Sequence, residues 1–456
     1  QWNILADGLA KDGFLVRDVL SDAPEDGARP LQIVADECAL AHASSAPDPG
    51  ALARFSSDRS KANLNAVVDW RLRFLMIQQY VLTAKADVIV LQEVDHMLEM
   101  QEVFGQMGYA CARDDKTYVP AHVAMEEHGV KRDSAAFFTY LRTAGVAFVP
   151  KTNSTCRKFG LKEREDADDD GVAIFWRRDV LELVDLDFLV FDDPKRNQGA
   201  VRATLKRKED GARVAVIAVH LTSGSGSKDE KARLVECKAA SLDANGEGNG
   251  PSMCEWIDAS AKLTPTVMCL DANSAPNTER IEYEKRKLNV WEALGSARPG
   301  IRSVWTAFYG PDGAPRQRPS PVTTNKMRGP LSAQPKKIGE HAFALMDQIF
   351  FTDELSFLYH AYPPAAFVGG EGDARGVLLP SLKVPSDHYP VIADILLPIG
   401  LVTACVPESG NIIALTKYNS FKDTEKMLSA EASKKYNSFK DAALVEVLTD
   451  LKPEEP

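Results

Sequence analysis

Two spacings of apolar residues alternate along this chain, and they predict different elements. Short continuous apolar runs predict strands buried on both faces, and apolar positions recurring every three or four residues predict amphipathic helices. Trp2–Ala6 opens as a strand. Asn65–Lys85 carries Val67, Val68, Leu72, Leu75, Met76, Tyr80 and Leu82 at near-helical spacing, and Asp87–Val94 follows as a buried strand. Met97–Met107 reads as a helix ending near Gly108. Gly171–Trp176, Leu186–Phe191, Ala200–Lys206 and Ala212–His220 form a strand-and-turn series. Lys228–Leu242 is predicted as a helix, Gly246–Gly250 as a loop, Thr266–Leu270 as a strand and Glu279–Leu294 as a helix. Leu345–Phe351 and Pro390–Leu397 are the last expected core strands. Helices and strands mix without strict alternation, which favours an α+β sandwich over a doubly wound parallel sheet.

Some stretches break the pattern. The segment from Ala6 to about Ser60 is polar and contains prolines, and about 116–145 reads as a partly helical insertion carrying His122 and His128. Glu163–Asp170 holds six acids against Arg164 and reads as a solvated loop. The expected organisation is a catalytic domain over 1–398 and a tail over 399–456. In the tail Lys417–Asp423 (KYNSFKD) recurs as Lys435–Asp441. The offset of 18 residues is five helical turns, so both copies would share a face. The repeat reads either as a docking segment for a protein partner or as a neutral duplication.

Composition narrows the classes. The chain has 456 residues, 45% hydrophobic and 26% charged, which excludes bulk disorder and fibrous architectures. The net charge of −11 argues against a general nucleic-acid coat and leaves room for a local phosphate site. Ile395–Val406 is too short to span a bilayer and contains Pro398, so no membrane association is expected. Seven cysteines with no C-x-x-C pair point away from a disulfide framework and a structural zinc site, and towards a reducing, intracellular and most simply cytoplasmic setting. The chain begins at Gln1 directly in a strand, so a preceding segment is expected. Gly224–Lys228 lacks P-loop spacing, and no H-E-x-x-H occurs.

The candidate chemistry lies at strand ends. Asn3, Glu93, His220, Asp271, Asn273, Asp347, Asp387 and His388 each stand at or beside the end of an apolar run. Strand ends gathered at one edge of a sandwich converge on one cleft. Glu93, Asp271, Asn273 and Asp387 offer the hard oxygens that Mg²⁺ prefers. A metal there would polarise a phosphoryl oxygen, and His388 paired with Asp347 would stabilise charge on the attacked phosphate.

The ordered set resembles the endonuclease/exonuclease/phosphatase superfamily, in particular the branch of carbon-catabolite-repressor-type deadenylases, angel proteins and nocturnin. The similar segments are QWNILA at 1–6, LQEVDH at 91–96, FVPKTNS at 148–154, DGVAIFW at 170–176, NQGAVRATL at 197–205, AVHL at 218–221, DAN at 271–273, MDQIFF at 346–351 and PSDHYPV at 385–391. The resemblance implies a four-layer α/β/β/α sandwich of two packed mixed sheets. It implies Glu93 as the principal Mg²⁺ ligand, supported by Asn3 and Asp387, with Mn²⁺ as a substitute metal. Asp271 would orient or deprotonate the attacking water, and Asn273 would help hold it. His388, with Asp347 behind it, would contact the scissile phosphate opposite His220, and Lys151 would be the phosphate-side cation.

Three positions depart from the branch. Leu270 stands where Gly usually precedes D-F-N, Thr222 stands where Lys is frequent, and Asn325 replaces an aromatic in the threonine-rich loop. From Ala314 to Ile338 six bases, including Lys326 and Arg328, occur without an acid, and this basic loop is an expected grip on a phosphate backbone. The leading expectation is a Mg²⁺-dependent 3′–5′ exoribonuclease, deadenylase-like, acting on a poly(A)-like RNA 3′ end and releasing nucleoside 5′-monophosphates. A nocturnin-like NADP(H) 2′-phosphatase acting on a phosphorylated nucleotide is the second, and a non-catalytic scaffold using the same fold is the third.

Overall fold

The computed structural model describes residues 1–10, 68–113, 116–119, 135–151, 170–192, 198–306, 308–310, 313–316, 321–327, 340–362, 378–381 and 384–398. In chain order the first elements are β1 (Trp2–Asn3), α1 (Asp7–Ala10), α2 (Trp70–Ala84), β2 (Val88–Val94), α3 (Met97–Gln106), β3 (Tyr109–Ala110), α4 (Ala135–Ala144) and β4 (Phe148–Pro150). Next come β5 (Gly171–Arg177), β6 (Leu181–Phe191), β7 (Gly199–Arg207), β8 (Arg213–His220), α5 (Ser227–Lys238), β9 (Ser241–Leu242), α6 (Met253–Leu263) and β10 (Thr266–Asp271). The last are β11 (Ile281–Tyr283), β12 (Arg286–Leu288), α7 (Val290–Gly295), β13 (Arg302–Ser303), β14 (Thr324–Met327), β15 (His341–Ala344), β16 (Asp347–Phe351), β17 (Ser356–Tyr362) and β18 (Ile392–Leu396).

Two mixed sheets carry the fold. The first runs β1-β2-β5-β3, with β4 also on β5, and the second runs β13-β16-β10-β8-β7-β6-β9. Side chains on a strand alternate between faces, and that alternation sorts the core into three sets. Val90, Val172, Ile174, Val216, Ala218, Val267, Cys269 and Ile349 point between the sheets. Ile89, Leu91, Ala173 and Phe175 point outwards to α2 and α3, onto Phe74, Ile77, Met100 and Phe104. Ile217, Val219, Met268, Leu270 and Phe350 point outwards to α5, α6 and α7, onto Leu234, Trp256, Ile257 and Leu294. Four layers follow, α/β/β/α, and the central strands are apolar throughout because both of their faces are covered. No helix among the described residues is long and apolar enough to cross a membrane.

Several element expectations need correction. The first strand stops at Asn3, because the Asn3 side-chain oxygen accepts from the Leu5 amide (3.0 Å) and Leu5 turns to φ +58. The Glu279–Leu294 helix is instead the β11/β12 hairpin followed by α7. Glu284 and Lys285 both take positive φ, as a primed two-residue hairpin turn requires, and Asn289 caps α7 by accepting from the Glu292 amide at 3.1 Å. Helix α5 ends at Lys238, and Ser241–Leu242 then pairs with Val190–Phe191. Helix α6 was not expected, although Ser252 and Glu255 form a capping box at its start. The expected Leu345–Phe351 strand begins at Asp347, while His341–Ala344 pairs separately with Thr324–Met327. The tail repeat, Arg328, residues 120–134 of the 116–145 insertion and most of the basic loop lie outside the described residues, and α4 forms the helical part of the insertion.

Candidate active site

Register puts the chemistry of the second sheet in one row. β10 is parallel to β8 and antiparallel to β16, so Asp271 lies directly opposite both His220 and Asp347. All three are buried. Asp271 ends its strand, and its Oδ1 accepts from the Asn273 amide at 2.9 Å. That bond holds Asn273 in the left-handed region (φ +47), where Asn is tolerated. The Asn273 side chain donates to the Leu221 carbonyl at 2.9 Å, tying the turn after β10 to the end of β8. Asp347 is fixed on every side. Its Oδ2 lies 2.7 Å from His388 Nδ1, its Oδ1 accepts from Gln1 Nε2 at 2.8 Å, and its amide donates to Thr323 Oγ1 at 3.0 Å. The Trp305 indole donates to its carbonyl at 2.9 Å.

The first sheet contributes through a bulge. The pairing of β2 with β5 shifts register between Gln92 and Val94, and Glu93 adopts φ +58. A bulge of this kind re-aims one side chain. Glu93 Oε1 accepts from Asn3 Nδ2 (3.1 Å), and Oε2 accepts from the Ala6 amide (3.2 Å). Asn3 Nδ2 also donates to Asp271 Oδ2 at 2.9 Å, so one amide joins the acids of the two sheets. The Asp387–His388 loop is laid over this junction. Ser386 Oγ donates to the Asn3 carbonyl (2.6 Å) and accepts from the His388 amide (3.1 Å). The Trp2 indole donates to the His388 carbonyl at 2.8 Å.

Cations stand around the acids. Lys326 pairs with Asp387, and Lys151 Nζ lies 2.6 Å from Asp170 and 3.0 Å from His220 Nδ1. Asp170 was expected in a solvated run, yet it is 2% exposed, because Gly171 begins a central strand. A Cβ at Gly171 would lie 2.4 Å from the Val149 carbonyl, so only glycine lets β4 approach here. Arg73, on α2, is buried beneath the junction. Its Nε donates to the Pro385 carbonyl at 2.7 Å and its Nη2 to the Ile4 carbonyl at 2.6 Å and to the Leu5 carbonyl. It therefore clamps the residues next to Asn3 to those next to Asp387.

The electrostatics differ from group to group. Burial raises the Glu93 carboxyl, Asp387 raises it further, and Lys151 and Lys326 pull it down. Burial also raises Asp271, opposed by His388 and reinforced by Asp347. His220 falls well below its ordinary value through burial and the nearby Lys151. Burial alone would lower His388, but Asp347, Asp271 and Asp387 outweigh it and lift the imidazole to about 9.

These residues fit a hard divalent cation. Burial and the nearby Asp387 make it costly for Glu93 to stay ionised, and a cation relieves that repulsion. Asp271, Asp347 and His388 also lie within 4.8 Å of one another, but the protonated His388 ring already balances these acids and offers no free lone pair. Asn3 turns its NH₂ to the two carboxylates and its oxygen to Leu5, so it supports Glu93 by donating. The eight strand-end residues and Lys151 and Lys326 are thus gathered at one end of the sandwich. Arg73, Asp170, Gln1, Thr323 and Ser386 were not singled out from sequence. Of these, Asp170 had a signal in its place before Gly171, and Ser386 in its place before Asp387.

No family model matches the chain. Among curated proteins it is similar to nocturnin of Drosophila melanogaster, with 26% identity over 339 residues covering 72% of this chain and 42% of that protein. Nocturnin of Rattus norvegicus is 23% identical over 328 residues, covering 71% of this chain and 58% of that protein. The chain thus spans about half the length of the curated relatives it matches. Among solved structures it aligns with the human nocturnin catalytic domain with bound sulfate anion, at 17% identity and TM-score 0.47, over 87% of this chain and 92% of that one. The matches to curated nocturnins bear out the resemblance to the nocturnin branch of the endonuclease/exonuclease/phosphatase superfamily.

Proposed function

We propose that this nocturnin-like chain is a divalent-metal-dependent phosphoesterase, acting as a deadenylase-like 3′–5′ exoribonuclease. The observation that carries the proposal is the position of the Asp271 carboxylate. It lies 3.6 Å from His220 Nε2 and 3.9 Å from His388 Nε2, and it shares the Asn3 amide with Glu93. One acid is thereby set among a neutral imidazole, a charged imidazole and a second carboxylate.

In this reading Asp271 accepts the proton of a water attacking phosphorus, and its raised affinity for protons makes it a better base near neutral pH. Asn273 holds that water. The His388 imidazolium, oriented by Asp347, hydrogen-bonds the phosphate oxygen on which charge develops. Neutral His220, next to Lys151, contacts the opposite oxygen. Glu93 and Asp387, with Asn3 in support, would hold the cation. When bound it supplies Lewis-acid stabilisation to a phosphoryl oxygen. Lys151 and Lys326 would face the phosphate backbone of the RNA 3′ end.

The test is hydrolysis of a 3′-oligoadenylate RNA with Mg²⁺, beside NADPH as the competing substrate and an EDTA control. Stepwise shortening with release of 5′-monophosphates supports the exonuclease. Phosphate release from NADPH with intact RNA would replace it by a nucleotide 2′-phosphatase.

A further inference from the structure

Helix α5 lies on the outer face of the second sheet, and charged residues on such a helix are ordinarily exposed. Three of them are buried instead. Glu230 and Arg233 are 1% exposed and Glu236 is 4% exposed. Arg233 Nε and Nη2 pair with Glu230 Oε2 at 2.9 and 2.7 Å. Arg233 Nη1 donates to the Thr222 and Gly224 carbonyls, both at 2.9 Å. Glu236 accepts from the Thr222 amide at 2.9 Å and from its hydroxyl at 2.5 Å. The loop that follows His220 is therefore held from below by two side chains of α5.

Glu230 Oε1 serves the other loop. It accepts from Ser274 Oγ at 2.9 Å and from the Val290 amide, at the start of α7, at 2.8 Å. Ser274 follows Asn273, which reaches back to the Leu221 carbonyl. One carboxylate and one guanidinium thus join the loop after β8 to the loop after β10.

A buried ion pair is weak evidence for stability, because desolvation offsets most of its attraction. The geometry points to a different role. We propose that Glu230 is a positioning residue. Through Ser274 on one side and Arg233 on the other, it sets the placement of Asn273 relative to His220 and Asp271. Glu230 touches none of the reacting groups. A displacement of about 1 Å among reacting groups costs on the order of 100-fold in rate, so small slack in either loop is visible in kcat. This rests on the phosphoesterase reading for its kinetic arm only.

The experiment compares the full chain with Ser274→Ala, Glu230→Gln and Glu230→Ala. Ser274→Ala removes a single hydroxyl and leaves the Glu230–Arg233 pair intact, so folding is preserved. With Mg²⁺ and 3′-oligoadenylate RNA, Ser274→Ala lowers kcat about 10-fold with KM within about twofold. Glu230→Ala loses more, and Glu230→Gln recovers part of that loss. In the metal-free chain, amide hydrogen exchange in 221–226 and 272–276 speeds up together in the Glu230 variants, while exchange in β8 and β10 stays unchanged. Unchanged kcat in Ser274→Ala, or faster exchange in only one of the two loops, overturns the proposal. If the unmodified chain hydrolyses no phosphate ester, the phosphoesterase reading fails, and the exchange arm still decides whether Glu230 couples the loops.

Discussion

Two imidazoles stand on either side of Asp271, and the structure gives them opposite charge states. His220 and His388 are equally buried, at 3% and 2% exposed, and lie at similar distances from the same carboxylate. Burial pushes both towards the neutral form. The difference lies in the second neighbour. His388 has Asp347 at 2.7 Å and holds its proton to about 9, whereas His220 has Lys151 at 3.0 Å and loses its proton far more easily. Burial favours the neutral ring at both places, Lys151 reinforces it at His220, and the carboxylates led by Asp347 overturn it at His388, so one site holds a donor cation and a neutral base side by side.

The comparison fails most completely if its shared partner is removed. Asp271→Ala takes away the carboxylate between the two rings and lowers kcat by about 1,000-fold or more, with little change in the thermal midpoint. Glu93→Ala has a loss of the same order and also weakens Mg²⁺ binding in a calorimetric titration. Asp347→Asn acts on one ring only. A group with a raised folded pKa keeps its proton below that value, so activity that needs the His388 imidazolium falls as pH rises through about 9. Without the Asp347 charge, that limb of the pH–rate profile moves to lower pH, and kcat at pH 8 drops about 10- to 100-fold. The stability contribution has the same sign: it is fully present below about 6.5 and is lost as pH rises through about 9. Lys151→Met is the smallest change and works on the other ring. It removes the cation beside His220, so the His220 titration followed by NMR moves up, towards that of His388. An unmoved His220 would mean that Lys151 does not set its charge.

The two halves of the site were not equally legible in the sequence. Glu93, His220, Asp271 and Asp347 could be read because each interrupts an apolar run whose other residues are explained by burial. Arg73 could not be read this way. An arginine on an amphipathic helix looks solvent-facing, and its burial depends on carbonyls at Ile4, Leu5 and Pro385, one of them 312 residues away. Glu230, Arg233 and Glu236 were hidden for the same reason, since most of their partners lie in loops on other segments. Asp170 was absorbed into an acidic run, although it is the residue that leads into a buried strand. The β11/β12 hairpin was missed because Glu279–Leu294 is charged at helical spacing, and only the turn at Glu284–Lys285 and the cap at Asn289 separate its parts. Helix α6 could have been read from its Ser252–Glu255 capping box. The layered architecture was legible because strands covered on both faces leave a continuous apolar signature, which does not depend on distant partners.

The central claim is that the acids and imidazoles around Asp271 hydrolyse a phosphate ester with the help of a divalent cation. It is tested most directly by measuring turnover of 3′-oligoadenylate RNA and of NADPH, with Mg²⁺ and with EDTA, for the unmodified chain and for Asp271→Ala. The expected result is stepwise RNA shortening with Mg²⁺, abolished both by EDTA and by the substitution. Hydrolysis that survives in Asp271→Ala or in EDTA, or no hydrolysis of either substrate by the unmodified chain, would contradict it.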